Sequence, residues 1–321
     1  MVTKTVGLRP AVNPTPHISR VDGTGLLNAE KWSDVPAEQW LERELPALTG
    51  RPGLLIVSLG NGPADVAALA GPLGRAGADL LEVVSYDAGQ VARMVEIAAG
   101  QTGVPVLAKV SANWPDLIAV VGDCIRAGAE GITAIDSLGP ALGIDVETGR
   151  PVLGGAYGHG WLSGAAIKPM ALHAVAEIRL HFDIPVVGVG GVGRGRDAVE
   201  MMMAGAVVVG AHTAPLLRGL AWFRRTVAEL NAFLDSHRYA SAEEIVGRTL
   251  PYLRAEERTA PLAFAFDRER CTACLRCVAL CPYQARRLTV EEMSIAPERC
   301  RSCGLCASVC GPGALRLVST A

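Results

Sequence analysis

Short apolar runs recur along the first two thirds of the chain, each followed by a longer Ala-rich stretch whose apolar positions fall three and four apart. The runs are "LLIVSLG" (54–60), "DLLEVVS" (79–85), "PVLAKV" (105–110), "GITAIDS" (131–137), "PVVGVGG" (185–191) and "AVVVGAHT" (206–213). A strand with one wet face alternates apolar and polar residues, whereas a continuous Val/Ile/Leu run is buried on both faces. Runs of this kind separated by helices predict a parallel sheet, and their number over about 250 residues points to a TIM (β/α)8 barrel. A doubly wound open sheet is the competing fold, but no G-x-G-x-x-G turn follows an early strand. Glycines gather instead in "GVGG" (188–191) and "GAHT" (210–213), where the loops after the seventh and eighth strands of a barrel hold phosphate. Residues 1–6 and the six runs make seven strands. That is one short of eight, so the reading expects a barrel that lacks one βα unit, with a start placed upstream or a neighbouring segment closing the gap. Residues 219–238 carry apolar positions at helical spacing and charges opposite, which predicts an amphipathic helix packed on the barrel with Trp222 and Phe223 in the core.

The periodic pattern stops near residue 253, and cysteines take over. "CTACLRCVALC" and "CRSCGLCASVC" each space four cysteines as C-x2-C-x2-C-x3-C, the spacing of bacterial two-cluster ferredoxins, in which the fourth Cys of each run ligates the other cluster. One [4Fe-4S] cluster is thus expected on Cys271, Cys274, Cys277 and Cys310, and a second on Cys300, Cys303, Cys306 and Cys281. Zinc modules repeat Cys pairs rather than four-Cys runs, and a disulfide framework needs an oxidising compartment. Cys124, the ninth cysteine, sits in a helical pattern and reads as a core thiol. The expected organisation is a barrel over 1–253, a charged linker over 254–267 and a ferredoxin domain over 268–321.

Composition narrows the setting. Half of the 321 residues are hydrophobic and the formal charge is −2, a balance that argues against nucleic acid as the main partner. Apolar runs break off well short of the roughly 20 residues that span a bilayer, and no basic-plus-apolar leader opens the chain, so the reading expects a cytoplasmic protein.

The stretches "KVSANWPDLIAVVGDCIRAGAEGITAIDS" and "LSGAAIKPMALHAVAEIRLHFDIPVVGVGGV" resemble the FMN barrel of the dihydroorotate dehydrogenase superfamily. Within it, the chain looks most like the part of dihydropyrimidine dehydrogenase in which such a barrel precedes a two-cluster ferredoxin module. The resemblance implies FMN as cofactor, with Lys4, Thr5 and Lys109 beside the flavin, Ser163 and Gly164 in contact with it, and Gly190, Gly191, His212 and Thr213 around its phosphate. It also implies that Lys4 and Thr5 lie on the second barrel strand, so that the barrel lacks its first βα unit. A fixed ammonium near the flavin ring favours the anionic reduced form, which gives Lys109 a physical reason to be there.

The same resemblance places substrate contacts at Asn28, Glu30, Asp136 and Ser137, and here the chain departs from its relatives. Ala88 stands where a proton-donating cysteine aligns, and Asp136-Ser137 replaces an Asn-Thr pair. An ionised Asp only accepts hydrogen bonds, so the substrate atom facing Asp136 is expected to be a donor, which favours an amino- or amidine-bearing ring over a plain dioxopyrimidine. His159 and Tyr86 are the candidate proton donors, chosen for their chemistry alone.

The expected function is an FMN-dependent iron–sulfur oxidoreductase acting on a carbon–carbon bond of a small cyclic nitrogenous, pyrimidine-like substrate. An NAD(P)H/FAD flavoprotein subunit or a soluble ferredoxin would exchange electrons with the clusters, and a homo-oligomer is compatible with the sequence. The alternative, from the lost strand and cysteine, is a non-catalytic electron-transfer or scaffold subunit with a degenerate barrel.

Overall fold

The computed structural model describes residues 1–253, 257, 259–289 and 292–318, and the chain divides into two units, Met1–Arg254 and Ala255–Ala321. In the first, residues 1–6 run extended and are followed by a hairpin of β1 (Ile18–Val21) and β2 (Gly25–Asn28). The apolar runs then form β3 (Ile56–Gly60), β4 (Leu80–Val84), β5 (Val106–Val110) and β6 (Gly131–Ala134). Two strands turn back, β7 (Leu138–Leu142) and β8 (His159–Gly164), before β9 (Val186–Val189) and β10 (Val208–Gly210) complete the series.

Strands β3, β4, β5, β6, β9 and β10 pair in that order, all parallel, and residues 1–6 lie parallel to β3 through Val2–Ile56 and Val6–Leu59 bridges. Seven staves result, as counted in the sequence. Helices such as Pro63–Arg75, Ala88–Gln101, Leu117–Arg126 and Lys168–His181 join them, and their apolar faces cover the outside of the curled sheet. Val57, Leu59, Val83, Ala108 and Val110 point to that helical layer and are fully buried. By the two-residue period, Ser58, Glu82, Lys109 and Thr133 point the other way, into the barrel. Register aligns them in layers: Ser58 opposite Glu82 and Glu82 opposite Leu107, then, one step nearer the carboxyl ends, Gly60, Val84, Lys109, Thr133, Val187 and Val208 in succession.

Where the sequence pattern predicted only loops, β1, β2, β8 and β7 form a four-stranded antiparallel sheet. The helix expected at 219–238 is Ala221–Ser236. Trp222 is buried as expected, but Phe223 is half exposed: it lies 100° further round the helix, off the side on which Trp222 and Thr226 are buried. Cys124 is fully buried, and burial pushes its thiol up to about 12, the behaviour of an inert core cysteine.

In the second unit, β11 (Ala263–Phe266) pairs with β14 (Leu315–Val318), and β12 (Arg286–Leu288) with β13 (Met293–Ile295), both antiparallel. Strand β11 thus falls within the stretch expected as linker; residues 254–256 and 258 of that stretch lie outside the described residues. Two halves repeat at a 29-residue offset: Ala273 and Ser302, Leu275 and Gly304, and Gln284 and Gly313 all have positive φ.

Candidate active site

The mouth of the barrel is charged. Lys109, near the end of β5, has Val84 and Thr133 as register neighbours, so its ammonium is the single charge in its layer. Its Nζ stands 3.4 Å from Asp136 Oδ1, just beyond β6. Burial opposes the charge on Lys109, but the Asp136 and Glu82 carboxylates outweigh it and hold the ammonium above its ordinary range. Asp136 Oδ1 also accepts the backbone N–H of Ser137 at 2.8 Å, while the Asp136 N–H donates to the Val110 carbonyl at 2.9 Å and ties the loop to β5. Beside this pair, Thr133 Oγ1 is buried with no hydrogen-bond partner.

Tyr86 follows β4 in the same region. Its ring stacks on Trp161 with centroids 4.8 Å apart, and its carbonyl accepts the Trp114 indole N–H at 3.4 Å. Although the residue is 60% exposed, partial desolvation first, then the Asp136 carboxylate, push the phenol up to about 12, against the pull of Lys109. His212, after β10, feels the same charges. Desolvation first, then the ammonium groups of Lys109 and Lys4, hold it below the usual imidazole range although its edge is open to solvent, and Glu30 and Asp136 act in the opposite sense.

A second ion pair stands beside the first. Lys4 Nζ meets Glu30 Oε2 at 2.7 Å, and Thr5 Oγ1 shares a hydrogen bond with Ser58 Oγ at 3.1 Å. Asn28 Oδ1 accepts the Glu30 N–H at 2.6 Å, which leaves the Asn28 amide NH2 as its free edge. The antiparallel sheet places these groups: β2 pairs with β8 so that Asn28 lies opposite Trp161 and Leu26 opposite Ser163. Thr213 Oγ1 donates to Ser163 Oγ at 2.8 Å and joins that sheet to the loop after β10. Gly164 is required by geometry: its φ is 96°, and a Cβ would lie 2.3 Å from the Thr24 carbonyl oxygen.

The turn after β9 is held open as a backbone surface. Gly191 has φ 76°, and a Cβ there would meet that of Lys168 at 2.5 Å. Lys168 Nζ binds Asp197 Oδ1 at 2.7 Å, Asp197 Oδ2 accepts the Gly193 N–H at 2.9 Å, and the Gly193 carbonyl accepts the Trp222 indole N–H at 2.8 Å. These bonds fix the turn containing Gly190 and Gly191, so its backbone is shaped before any anion arrives.

The eight cysteines gather into the two sets read from their spacing. Cys271, Cys274, Cys277 and Cys310 line one cavity, and Cys281, Cys300, Cys303 and Cys306 line another. Among the described residues no three His, Cys, Asp or Glu converge closely enough to hold one metal ion. Thiols spread around a cavity suit a cube better than a single zinc ion.

Lys4, Thr5, Asn28, Glu30, Tyr86, Lys109, Asp136, Ser137, Ser163, Gly164, His212 and Thr213 are therefore linked by contacts or by shared electrostatics. His159 is not among them: it opens β8, exposed, with its ring 5.9 Å from that of Tyr157. Four steps along the strand separate it from Ser163, about 13 Å at the usual rise. Sequence reasoning missed Glu82, Thr133 and Trp161. A charge inside an otherwise apolar run, as in "DLLEVVS", was the available signal for Glu82; Trp161 depended on recognising β8.

Residues 76–234 match the dihydroorotate dehydrogenase family and residues 263–311 the 4Fe-4S dicluster domain. The dihydroorotate dehydrogenase B (NAD(+)) catalytic subunit of Methanothermobacter thermautotrophicus is 33% identical over 264 residues, covering 77% of this chain and 85% of that protein. The subunit of the same name from Geobacter sp. is 34% identical over 263 residues with the same coverage, and that from Pyrococcus furiosus 33% over 261 residues, again covering 77% and 85%. Proteins of this family bind FMN, and the residues present suit it. Lys109 and the unpaired Thr133 hydroxyl offer polar groups to a ring, and the Gly190-Gly191 turn offers backbone that a Cβ would obstruct. Fold, charged mouth and relatives agree: the chain belongs to the dihydroorotate dehydrogenase family, as an iron–sulfur flavoprotein oxidoreductase that acts on a CH–CH bond.

Proposed function

We propose that the chain interconverts the saturated and unsaturated forms of a small nitrogen-containing ring of the pyrimidine kind, and that the electrons travel through two [4Fe-4S] clusters held by the eight cysteines. The observation that carries this reading is the Lys109–Asp136 pair, 3.4 Å apart at the barrel mouth. Bound FMN supplies hydride transfer to or from a ring carbon. The chain's own residues do the rest.

Asp136 has one oxygen engaged by Ser137 and Lys109, which leaves the other to accept a bond from a ring N–H. Asn28, with its carbonyl engaged by Glu30, offers its NH2 to a ring carbonyl. An acceptor and a donor on neighbouring walls complement the N–H and C=O of a cyclic amide. Lys109 also modifies the expectation drawn from Asp136 alone. Because its ammonium already balances the carboxylate, a ring N–H suffices, and a fully cationic ring is not required. Tyr86 is the better placed proton donor. A phenol held near 12 keeps its proton at neutral pH, within reach of the fields of Asp136 and Lys109, and is suited to protonate a strongly basic ring carbon. The relatives are named as NAD(+)-linked catalytic subunits, which supports a separate flavoprotein subunit as the electron partner.

The test is anaerobic. Reduced protein is mixed with ring substrates that carry a free N–H beside a carbonyl, with the same rings N-methylated, and with basic heterocycles, while flavin reoxidation is followed. Rings with the free N–H should react at least tenfold faster than their N-methyl forms. Equal rates would remove Asp136 from substrate recognition.

A further inference from the structure

The two halves of the ferredoxin unit repeat, but they are not chemically equal. Moving 29 residues along the chain takes Cys271 to Cys300, Cys281 to Cys310 and Ala285 to Ala314, with the same positive-φ turns. The same step takes Arg286 to Leu315, and Phe264 to Met293. Arg286 lines the cavity of Cys281, Cys300, Cys303 and Cys306, together with Phe264; Leu315 lines the other cavity, together with Met293. One site therefore has a guanidinium in its wall where the other has an isobutyl group.

That guanidinium is an unusual one. Arg286 is only 7% exposed, lies 4.0 Å over the Phe264 ring centroid, and has a buried Nη2 with no hydrogen-bond partner. Among the described residues no carboxylate forms an ion pair with it. A buried cation without a counter-charge is costly; the Phe264 ring face offsets part of the cost, and an anion beside the guanidinium would relieve the rest. A cube held by four thiolates is such an anion, and its negative charge grows by one on reduction. Net charge and nearby donors are among the factors that set cluster potentials. The other arginines lining the cavities, Arg301 in this one and Arg276 in its counterpart, are exposed, so water screens them.

We infer that Arg286 makes the two clusters unequal: the one on Cys281, Cys300, Cys303 and Cys306 has the higher reduction potential and is where an electron entering the unit comes to rest. The transfer is of one electron, from a cube on the Leu315 side, which is oxidised, to the cube on the Arg286 side, which is reduced, with no bond made or broken. The inference rests on the assignment of both cubes to these cysteines, which iron and sulfide analysis tests separately.

The experiment is an anaerobic redox titration of the full chain, reconstituted with iron and sulfide and read by electron paramagnetic resonance. The native protein should show two separate one-electron waves. Arg286→Leu places at this site the residue its counterpart already uses. It should lower only the upper wave, so that the reduced-to-oxidised ratio at the native midpoint falls at least tenfold, or 59 mV for one electron. Arg286→Gln should shift the same wave the same way, and it carries the test if the leucine variant loses iron. Arg301→Leu, at the exposed position, should move that wave much less. A single unsplit native wave, an unmoved upper wave, or both waves moving together would overturn the inference. Loss of about four iron from both Arg286 variants would make Arg286 a structural strut and overturn it equally.

Discussion

Lys109, on β5, and Asp136, two residues beyond the end of the neighbouring β6, meet 3.4 Å apart at the carboxyl end of the parallel sheet, each side chain largely withdrawn from water. Neither charge is stable there alone. Lys109→Met should destabilise the barrel by roughly 1–3 kcal/mol, below the usual cost of breaking a buried pair because both groups keep some contact with solvent. It should also lose FMN on dialysis. Asp136→Asn should keep FMN but slow turnover. Denaturant melts with flavin fluorescence check both. The Lys109 ammonium is held above its ordinary range, so its contribution is fully present below about pH 10.4 and is lost only at higher pH. Between pH 7.5 and 9, above the range in which His212 titrates, the difference in stability between native protein and Lys109→Met should therefore stay constant.

His212 behaves in the opposite sense. Its folded state resists protonation, so the unfolded chain binds the proton first as pH falls below about 6.5, and stability is lost from there down to the folded value. Native protein should lose more thermal stability than His212→Gln between pH 7.5 and 5.5. An equal loss in the two proteins would contradict the electrostatic environment described for this ring.

Tyr86 and His159 were alike as candidates in the sequence, and the structure separates them. Tyr86→Phe should slow turnover about a hundredfold or more, the low end of general-acid contributions, with little change in FMN content. His159→Ala should stay within a few fold of native. A strong defect in His159→Ala with native-like Tyr86→Phe would reverse the assignment.

The parallel sheet was legible because strands buried on both faces leave an unbroken apolar signature, and every run became a strand in the expected order. The cysteine sets were legible because cluster ligation imposes spacing. The antiparallel sheet was not: β7 and β8 carry Gly, and β7 Pro, among half-exposed positions, and "GHGWLSG" has no strong alternation. Missing it hid how Asn28 and Ser163 are brought together, and made His159 look nearer the flavin contacts than its place in β8 allows. Nor can spacing show that Lys109 neutralises Asp136, because that contact joins residues 27 positions apart across two strands.

Gly164 tests the backbone. A side chain there would take up an unfavourable φ of 96° and strike the Thr24 carbonyl, so Gly164→Ala should cost at least about 1 kcal/mol. Because β8 also places Ser163, the variant should bind FMN more weakly, which equilibrium dialysis would read. Unchanged affinity would show that the β2–β8 pairing does not shape the flavin contacts.

The central claim is that chemistry in the barrel and electrons in the cysteine-bound clusters belong to one reaction. It is tested by mixing oxidised, fully reconstituted protein anaerobically with saturated dihydropyrimidine rings and recording flavin absorbance and cluster paramagnetic resonance together. The account predicts that a ring which bleaches the flavin also produces the signals of reduced [4Fe-4S] clusters, and that Asp136→Asn slows both in step. Flavin bleaching with clusters that remain oxidised, or protein with full iron content that no such ring reduces, would contradict it.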